Sequence, residues 1–276
     1  MTTLIHPGPP TGLFARVRWA VTDSWTLTAR ETSHWLRQPF EVAVGLLFPI
    51  MFFLMFGYLI GGDMPVPGGG DYRELLVPGT LAMTMMFGVE STMTAMAADA
   101  SKGVTDRFRS MPMAQSAVVM GRSLADLFQS SLSLVALVLC GLLTGWTWKE
   151  GIGPGLLALV LLLWLRFAML WIGVYLGLVI RSTQATAAVQ ILIFPLAFLS
   201  NVFSAPESMP AWIRPIAEWN PLSATAAAAR ELFGSPGWGG DSWAAGHSLL
   251  LAALWPLVIT VVFLPLSVRR YRRLSR

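Results

Sequence analysis

The sequence predicts an all-α integral membrane protein with six transmembrane helices, on three observations. Only 12% of the 276 residues are Asp, Glu, Lys or Arg, and 55% are hydrophobic, whereas a soluble domain carries about 25% charged residues. Six apolar stretches have the length of a membrane span, and the basic residues are concentrated on one side of them. The composition therefore excludes a soluble enzyme and a disordered chain.

The six stretches are defined by length and polarity. A helix that crosses about 30 Å of hydrocarbon needs about 20 apolar residues. The stretches that qualify are 42–60, 75–97, 127–146, 155–180, 185–203 and 249–268. Two of them contain a charged residue in the interior, Glu90 in the second and Arg166 in the fourth. An even number of spans places both termini on the same side.

The distribution of Lys and Arg predicts which side that is. Fourteen of the 19 basic residues fall on the side of the termini, and four fall on the opposite side. Five of the 14 lie in the C-terminal tail, after position 268. Because short cytoplasmic loops are rich in Lys and Arg, we expect a multi-pass protein of the cell membrane with both termini in the cytoplasm. The basic tail is interpreted as a contact with membrane lipids, since the rest of the chain is nearly neutral and no nucleic-acid partner is indicated.

Segment 13–37 is predicted to form an amphipathic helix on the membrane surface. An apolar stripe repeats at helical spacing from Phe14 to Leu36, with the arginines off the stripe. Pro39 is expected to end this helix before the first span. The helix can serve as a plain interfacial anchor, or it can carry force from a cytoplasmic partner to the bundle, and the two roles are compatible.

The outer loop 204–246 is predicted to contain two short helices. Asn220, Pro221 and Gly234 provide an N-cap, a first helical residue and a C-terminal glycine for the second of them. Both helices carry apolar stripes that would be exposed in water. We therefore expect re-entrant helices that dip into the outer leaflet and are covered by protein.

The inner loop 98–116 is predicted to present a short docking helix. Val104, Phe108 and Met111 stand at i, i+4 and i+7 among charged residues, and Pro112 follows them. One apolar stripe on an exposed helix suits insertion into a groove of a partner. After this loop, Arg122 and Asp126 are spaced i, i+4 and are expected to form a surface salt bridge.

Motifs for catalysis and for nucleotide binding are missing from the sequence. The two lysines, Lys102 and Lys149, follow no glycine-rich phosphate loop, and the three histidines and Cys140 form no metal-binding pattern. We therefore expect no catalytic residues, no metal and no cofactor on this chain. Energy for any uphill movement would come from another chain or from an ion gradient.

Several motifs together resemble those of a known family. The segment from Gly103 to Pro112 has the pattern Gly-x-x-acidic-Arg-x-x-x-x-Pro, and Gly121-Arg122-x-x-Ala125-Asp126 follows it. After the fifth span come Phe198-Leu199-Ser200-Asn201-x-Phe203, Met209-Pro210-x-Trp212, Asn220-Pro221 and then Arg230. In this order, the motifs resemble the permease subunit of type-two ATP-binding-cassette (ABC) exporters of the daunorubicin-resistance kind. The departure is Ser101-Lys102, where many members carry acidic and basic residues.

The resemblance implies a single transmembrane permease domain over 1–276 and a division of labour between chains. Two permease chains, identical or siblings, would associate with two ABC ATPase chains, which would bind the ATP and magnesium. The residues implied in coupling to the ATPase are Gly103, Val104, Asp106, Arg107, Phe108, Arg109, Met111 and Pro112. The residues implied in an outer gate are Asn201, Trp212, Asn220, Pro221 and Arg230.

Glu90 and Arg166 are the two charges placed deep in predicted spans. A charged group at a span centre costs roughly 2.5–3.5 kcal/mol on insertion scales. Three interpretations are open: the two side chains pair within the subunit, one or both line a substrate path, or one lies near an interface or meets a different polar partner. Their similar depth favours the hypothesis of a paired site that faces the bundle interior.

The most consistent function is an ATP-driven exporter subunit for an amphiphilic compound, such as a drug, a secondary metabolite or a lipid. A polysaccharide or glycolipid exporter of the same superfamily is an alternative. A membrane-embedded lipid-modifying enzyme is a weaker alternative, because it needs clustered Asp, Glu or His that the sequence does not provide.

Overall fold

The chain is all-helical in the computed structural model, which describes residues 22, 39–60, 66, 71–101, 115–180 and 183–274. Nine α-helices lie in the described ranges. They are α1 Pro39–Leu54, α2 Tyr72–Ser101, α3 Gln115–Leu143, α4 Ile152–Val179, α5 Thr183–Phe198, α6 Arg214–Glu218, α7 Pro221–Phe233, α8 Trp243–Gly246 and α9 Ser248–Leu274. A π-helical segment, Met55–Ile60, continues α1 directly.

Within the described ranges, three helices are long and apolar enough to cross a membrane by length and composition. They contain the stretches Ser123–Leu143, Ile152–Val179 and Ser248–Tyr271. Two shorter apolar stretches, Leu46–Leu59 and Gln184–Phe198, lie in the first and fifth predicted spans. The 30-residue α2 lies on the second predicted span. Each predicted span therefore falls on a helix, although the chain enters a turn after Phe198 instead of staying helical to Phe203.

Helices α2 and α4 form the centre of the bundle. Gly173 and Gly177 of α4 are spaced as Gly-x-x-x-Gly, which lets two helix backbones approach closely. A Cβ atom at Gly173 would lie 2.7 Å from the Val89 carbonyl oxygen, and one at Gly177 would lie 2.6 Å from the Met96 Cβ. The two glycines thus allow a contact between α2 and α4 that no larger residue fits, and α7 and α9 pack around this pair.

The outer face of the bundle is apolar. Helix α3 exposes a row of large side chains that includes Phe128, Leu132, Val135 and Leu139, and α5 and α9 do the same. Such a surface is stable only in contact with lipid or with another protein. The buried core therefore lies between α2, α4, α7 and α9. The exposed apolar faces of α3, α5 and α9 point away from it.

Residues close to several helix ends contact one another at one end of the bundle. Tyr72, before the second predicted span, donates a hydrogen bond to the Phe203 carbonyl oxygen (3.1 Å). Lys149, after α3, contacts Glu74 (2.7 Å). Trp146 is fully buried and its Nε1 donates to Ser235 Oγ beyond α7 (3.1 Å). This is the end that the charge distribution predicts to be outside the cell.

Two predicted elements lie outside the described residues. They are the surface helix 13–37, apart from residue 22, and residues 102–114 of the inner loop. The described chain flanks that loop, since α2 continues to Ser101 and α3 begins by Gln115.

Candidate functional site

Helix α7 begins and ends at residues that typically cap helices. The Asn220 side chain accepts a hydrogen bond from the Leu222 amide (2.9 Å), and Pro221 occupies the first helical position. Asn220 Nδ2 also donates to the Leu196 and Leu199 carbonyl oxygens, which ties α7 to the end of α5. Gly234 has a positive φ of 68°, which a glycine adopts without strain, and it closes the helix. These caps fix the position of Arg230 in the last turn.

Arg230 is a charged side chain buried against backbone carbonyl groups. It is 1% exposed. Its Nε donates to the Leu75 carbonyl oxygen (2.9 Å), its Nη2 to the Val202 carbonyl oxygen (3.0 Å), and its Nη1 reaches Asn201 Oδ1 (3.4 Å). A Cβ atom at Gly79 would lie 2.9 Å from Nη2, so the glycine provides the space for this approach. One guanidinium thereby joins α7, the start of α2 and the turn after α5.

The turn at 201–203 is held by further hydrogen bonds. The Asn201 amide donates to Ser223 Oγ (2.9 Å), and Trp238 Nε1 donates to the Asn201 carbonyl oxygen (2.6 Å). Together with the contacts of Arg230 and Tyr72, these bonds leave the turn little freedom. Asn201 and Arg230, both predicted for an outer gate, are therefore brought together, whereas Trp212 lies at the surface with 75% of its side chain exposed.

Burial in this region shifts the pKa values of two groups, Arg230 and Tyr72. Burial lowers the pKa of the Arg230 guanidinium to about 9, and the nearby Tyr72 hydroxyl opposes this effect. Burial raises the pKa of Tyr72, and the Arg230 charge partly offsets the increase. At neutral pH, Arg230 is therefore charged and Tyr72 is neutral, which are the forms that donate the observed hydrogen bonds.

We expect Arg230→Met to lower the free energy of unfolding by about 3 kcal/mol. The substitution removes charge-assisted hydrogen bonds and leaves the buried Val202 carbonyl and Asn201 amide groups without this donor. The measurement is thermal unfolding of the purified protein in lipid nanodiscs. Arg214→Met is the matched control, because Arg214 is 42% exposed and makes only an i, i+4 contact with Glu218, so its loss should change little. Equal effects of the two substitutions would contradict the structural role of Arg230.

A second buried arginine lies in the middle of α4. Arg166 is 2% exposed and stands 14 residues after Ile152 and 13 before Val179, about 20 Å from either helix end. Its Nη2 forms an ion pair with Asp126 of α3. Its Nε donates to Ser130 Oγ (2.8 Å), and Nη2 also donates to Thr92 Oγ1 (3.2 Å). The polar cluster of Arg166, Asp126, Ser130, Thr92 and Ser91 thus joins α2, α3 and α4.

The third nitrogen of this guanidinium has no hydrogen-bond partner among the residues that the structure describes. Arg166 Nη1 is buried and unpaired. It lies so close to α2 that a Cβ atom at Gly88 would be 1.2 Å away. Arg166 is also one of the residues that line a cavity of about 200 Å³ between α1, α2, α3 and α4. The cluster therefore provides partners for Nε and Nη2 of Arg166, while Nη1 packs against the backbone of α2 at Gly88.

The structure does not pair Arg166 with Glu90. Of the three interpretations of these charges, the one in which a charge meets a different polar partner holds for Arg166, because its partner is Asp126. Glu90 matches Arg166 in depth, but it is two residues from both Gly88 and Thr92, which places it about 160° around α2 from the face that Arg166 contacts. The predicted pair is therefore wrong, and Glu90 is half-buried on another face of the bundle.

Asp126 was not predicted as a member of this cluster. The sequence interpretation placed it at the edge of the third span, next to Arg122 in a surface salt bridge. The structure instead pairs Asp126 with Arg166 of α4, and the Asp126 side chain is only 16% exposed. A polar stripe with steps of three, four and three residues contained the signal: Ser123, Asp126, Ser130 and Ser133.

The residues implied in coupling to an ATPase lie outside the described part of the chain. They fall within 102–114, between α2 and α3. Two buried arginines, by contrast, lie within the described residues: Arg230 near the end of the bundle where Tyr72 contacts Phe203, and Arg166 midway along α4. Both charged side chains are buried inside the helix bundle, where the charged groups of membrane proteins contact other polar groups.

Comparison with known proteins identifies the family of the chain. Residues 22–233 match the family model described as ABC-2 type transporter. The chain is 34% identical over 236 residues to the daunorubicin resistance ABC transporter permease protein DrrB1 of Streptomyces coeruleorubidus, which covers 85% of this chain and 80% of that protein. The all-helical fold and its apolar spans fit such a multi-pass membrane protein. The chain therefore belongs to the ABC-2 type transporter family, as a membrane permease subunit of an ABC exporter.

Proposed function

We propose that this chain is the membrane path of an exporter that moves an amphiphilic compound, of the drug or secondary-metabolite class, out of the cell. The observation that carries the proposal is the match to the ABC-2 family over most of the chain, together with the similarity to a permease named for daunorubicin resistance. The buried polar cluster around Arg166 supports it, because ionisable residues inside a membrane bundle are costly and mark functional sites.

We propose a six-span topology with both termini in the cytoplasm. The charge distribution and the meeting of the loops at the end opposite to the basic residues support it. In this topology, α6 and α7 are re-entrant helices on the outer side. Packing of α7 against α2, α4 and α9 supports this assignment, since a helix at membrane depth needs protein around it.

We propose that two permease chains associate with two copies of an ABC ATPase, which hold ATP and magnesium. Gly103 to Pro112 would dock into the ATPase, and closure of the ATPase dimer would move α2 and α3, which flank this segment. At the far end, the turn at 201–203 and Arg230 would form the outer gate together with α7. Glu90, in addition to Arg166, is proposed to line the substrate path.

The experiment for this proposal is uptake of daunorubicin by inside-out membrane vesicles that contain the chain and its partner ATPase. ATP should drive accumulation of the drug, measured as quenching of its fluorescence. A non-hydrolysable ATP analogue, and vesicles with the ATPase but without this chain, should show none. Equal quenching with and without the chain would contradict a drug-exporter function.

A further inference from the structure

We propose that residues 235–242, a glycine-rich strap between α7 and α8, form a lid over a polar cavity, and that Trp238 latches this lid to the turn at 201–203. A shift of the turn releases the strap and opens the cavity. The inference goes beyond the proposed exporter function and uses no property of the transported compound. It combines three observations: a cavity that has the strap as part of its wall, a strap that one hydrogen bond holds at its middle, and an acceptor that belongs to the turn.

The cavity lies beside α7 and the turn at 201–203. It measures about 320 Å³, which is at the lower end of the range of about 300–1,000 Å³ for pockets that enclose a small molecule. The strap contributes Gly237 to Gly240 to its wall. The cavity would therefore lose part of its enclosure if the strap moved away. Residues of the bundle that line it include Asn201, Ser223, Ala227, Arg230 and Glu231.

Both ends of the strap are fixed to the protein. The Ser235 amide donates to the Arg230 carbonyl oxygen (2.9 Å), and Trp146 Nε1 donates to Ser235 Oγ (3.1 Å). At the other end, Ser242 Oγ accepts from the Ala245 amide (3.2 Å) and caps α8. Movement of the strap is therefore confined to the residues between these two points.

The middle of the strap has few contacts with the rest of the protein. Gly237 and Gly239 are exposed, and a Cβ atom at Gly239 would meet no other atom within 4 Å. Within the described part of the chain, residues 236–241 form one hydrogen bond, from Trp238 Nε1 to the Asn201 carbonyl oxygen (2.6 Å). Segments with few contacts and an exposed backbone open at a low cost in free energy. This bond therefore holds the strap closed.

Trp238 is the anchoring side chain of the strap. It is half-buried and packs against the hydrophobic core, although it lies between two exposed glycines. Gly239 has a positive φ of 73°, a conformation that favours glycine. Because glycine permits wide changes of the backbone angles, the residues on either side of the indole can act as hinges when it leaves its place.

The acceptor of the Trp238 bond belongs to the turn at 201–203. The Asn201 amide donates to Ser223 Oγ (2.9 Å). Arg230 donates to Asn201 Oδ1 (3.4 Å) and to the Val202 carbonyl oxygen (3.0 Å). These bonds fix the position of the Asn201 carbonyl oxygen. If the turn shifts, the indole loses its acceptor, so the turn and the strap are coupled through one atom.

The test measures how fast a cysteine inside the cavity reacts with a bulky maleimide. Ala227, which lines the cavity, is replaced by cysteine in the otherwise natural chain. The permease with its partner ATPase is reconstituted in nanodiscs, which leave both faces of the membrane open to the reagent, and labelling is followed by mass spectrometry of the peptides. Cys140, the natural cysteine, is half-buried on α3, and its labelling in the same sample reports general loosening of the bundle.

Trp238→Phe tests the latch, because it removes the indole donor and keeps an aromatic ring. We expect it to raise the labelling rate at position 227 about 5-fold, the effect of one neutral hydrogen bond on the opening equilibrium, and to leave the rate at Cys140 unchanged. Trp219→Phe is the matched control. Trp219 is 49% exposed, stacks on Trp243 and does not line the cavity, so its substitution should not change the labelling.

Ser223→Ala tests the coupling to the turn, because it removes the acceptor of the Asn201 amide and leaves the Trp238 donor in place. We expect labelling at position 227 to be about 3-fold faster, less than for Trp238→Phe because Arg230 still holds the turn. Ser208→Ala is the control, since Ser208 bonds to the Ala205 carbonyl oxygen at the surface and does not line the cavity.

The inference is overturned if Trp238→Phe or Ser223→Ala leaves the labelling rate at position 227 unchanged, or if the two control variants raise it as much. It is also overturned if the rate at Cys140 rises by the same factor, because the bundle as a whole would then have loosened. Faster labelling at position 227 alone, in both variants and in neither control, supports a lid that the turn at 201–203 holds closed.

Discussion

The substitution Asp126→Leu is expected to lower the free energy of unfolding by about 3 kcal/mol, because it leaves the buried Arg166 charge without its partner. Arg166→Met should cost a similar amount, since the Asp126 carboxylate then loses its cation. The double variant should cost clearly less than the sum of the two, because neither charge remains to be compensated. The three variants are compared by thermal unfolding in nanodiscs.

Glu90→Gln is the control for this comparison. Glu90 has a similar depth in the bundle, but it lies on another face of α2 and forms no ion pair in the described residues. Its substitution should change the free energy of unfolding by about 0.5 kcal/mol or less. If the Asp126 and Arg166 effects were simply additive, or if Glu90→Gln were as destabilising as Asp126→Leu, the ion pair would not organise this part of the bundle.

The second large effect is expected for Gly88→Ala. The new Cβ atom would lie 1.2 Å from Arg166 Nη1 and 2.0 Å from its Cζ, so the guanidinium has to leave its place. The displacement breaks the contacts with Asp126, Ser130 and Thr92, and we expect a loss of about 2–3 kcal/mol. A helix otherwise prefers alanine to glycine by about 1 kcal/mol, so the direction of the effect is diagnostic.

The same substitution in the Arg166→Met background provides the matched control. Without the guanidinium, the alanine methyl group meets a flexible, neutral side chain, and Gly88→Ala should cost about 1 kcal/mol or less, or stabilise the protein. Both measurements use the same thermal unfolding assay. An equal loss in the two backgrounds would show that Gly88 is needed for some reason other than the approach of Arg166.

Local signals in the sequence predicted the outer helices better than the intramembrane contacts. Asn220, Pro221 and Gly234 act at the ends of α7 as their residue types indicate, because capping depends on a few neighbouring residues. The contacts of Arg230 could not be predicted in this way. Two of its acceptors are backbone carbonyl groups, at Leu75 and Val202, and a carbonyl group has no signature in the sequence.

The partner of Arg166 shows which information was missing. The depth of a residue along a helix can be counted from the sequence, and the similar depths of Glu90 and Arg166 suggested that these two residues pair. The angular position depends on which face of α2 turns toward α4, and that is determined by the close packing at Gly173 and Gly177. Asp126 is predicted at the membrane surface because it directly precedes the apolar stretch 127–146 and has Arg122 as an oppositely charged neighbour four residues before it.

The most direct test of energy coupling is the ATPase rate of the partner chain in nanodiscs, with and without this permease. We expect the permease to change the rate and daunorubicin to change it further. In the proposed docking segment, Arg107→Ala should remove the dependence on the permease while the protein remains folded. Arg214→Met, which in the proposed topology lies on the outer side of the membrane, should leave the dependence intact. An ATPase rate that is the same with and without the permease, or coupling that survives Arg107→Ala unchanged, would contradict the proposed transmission through Gly103 to Pro112.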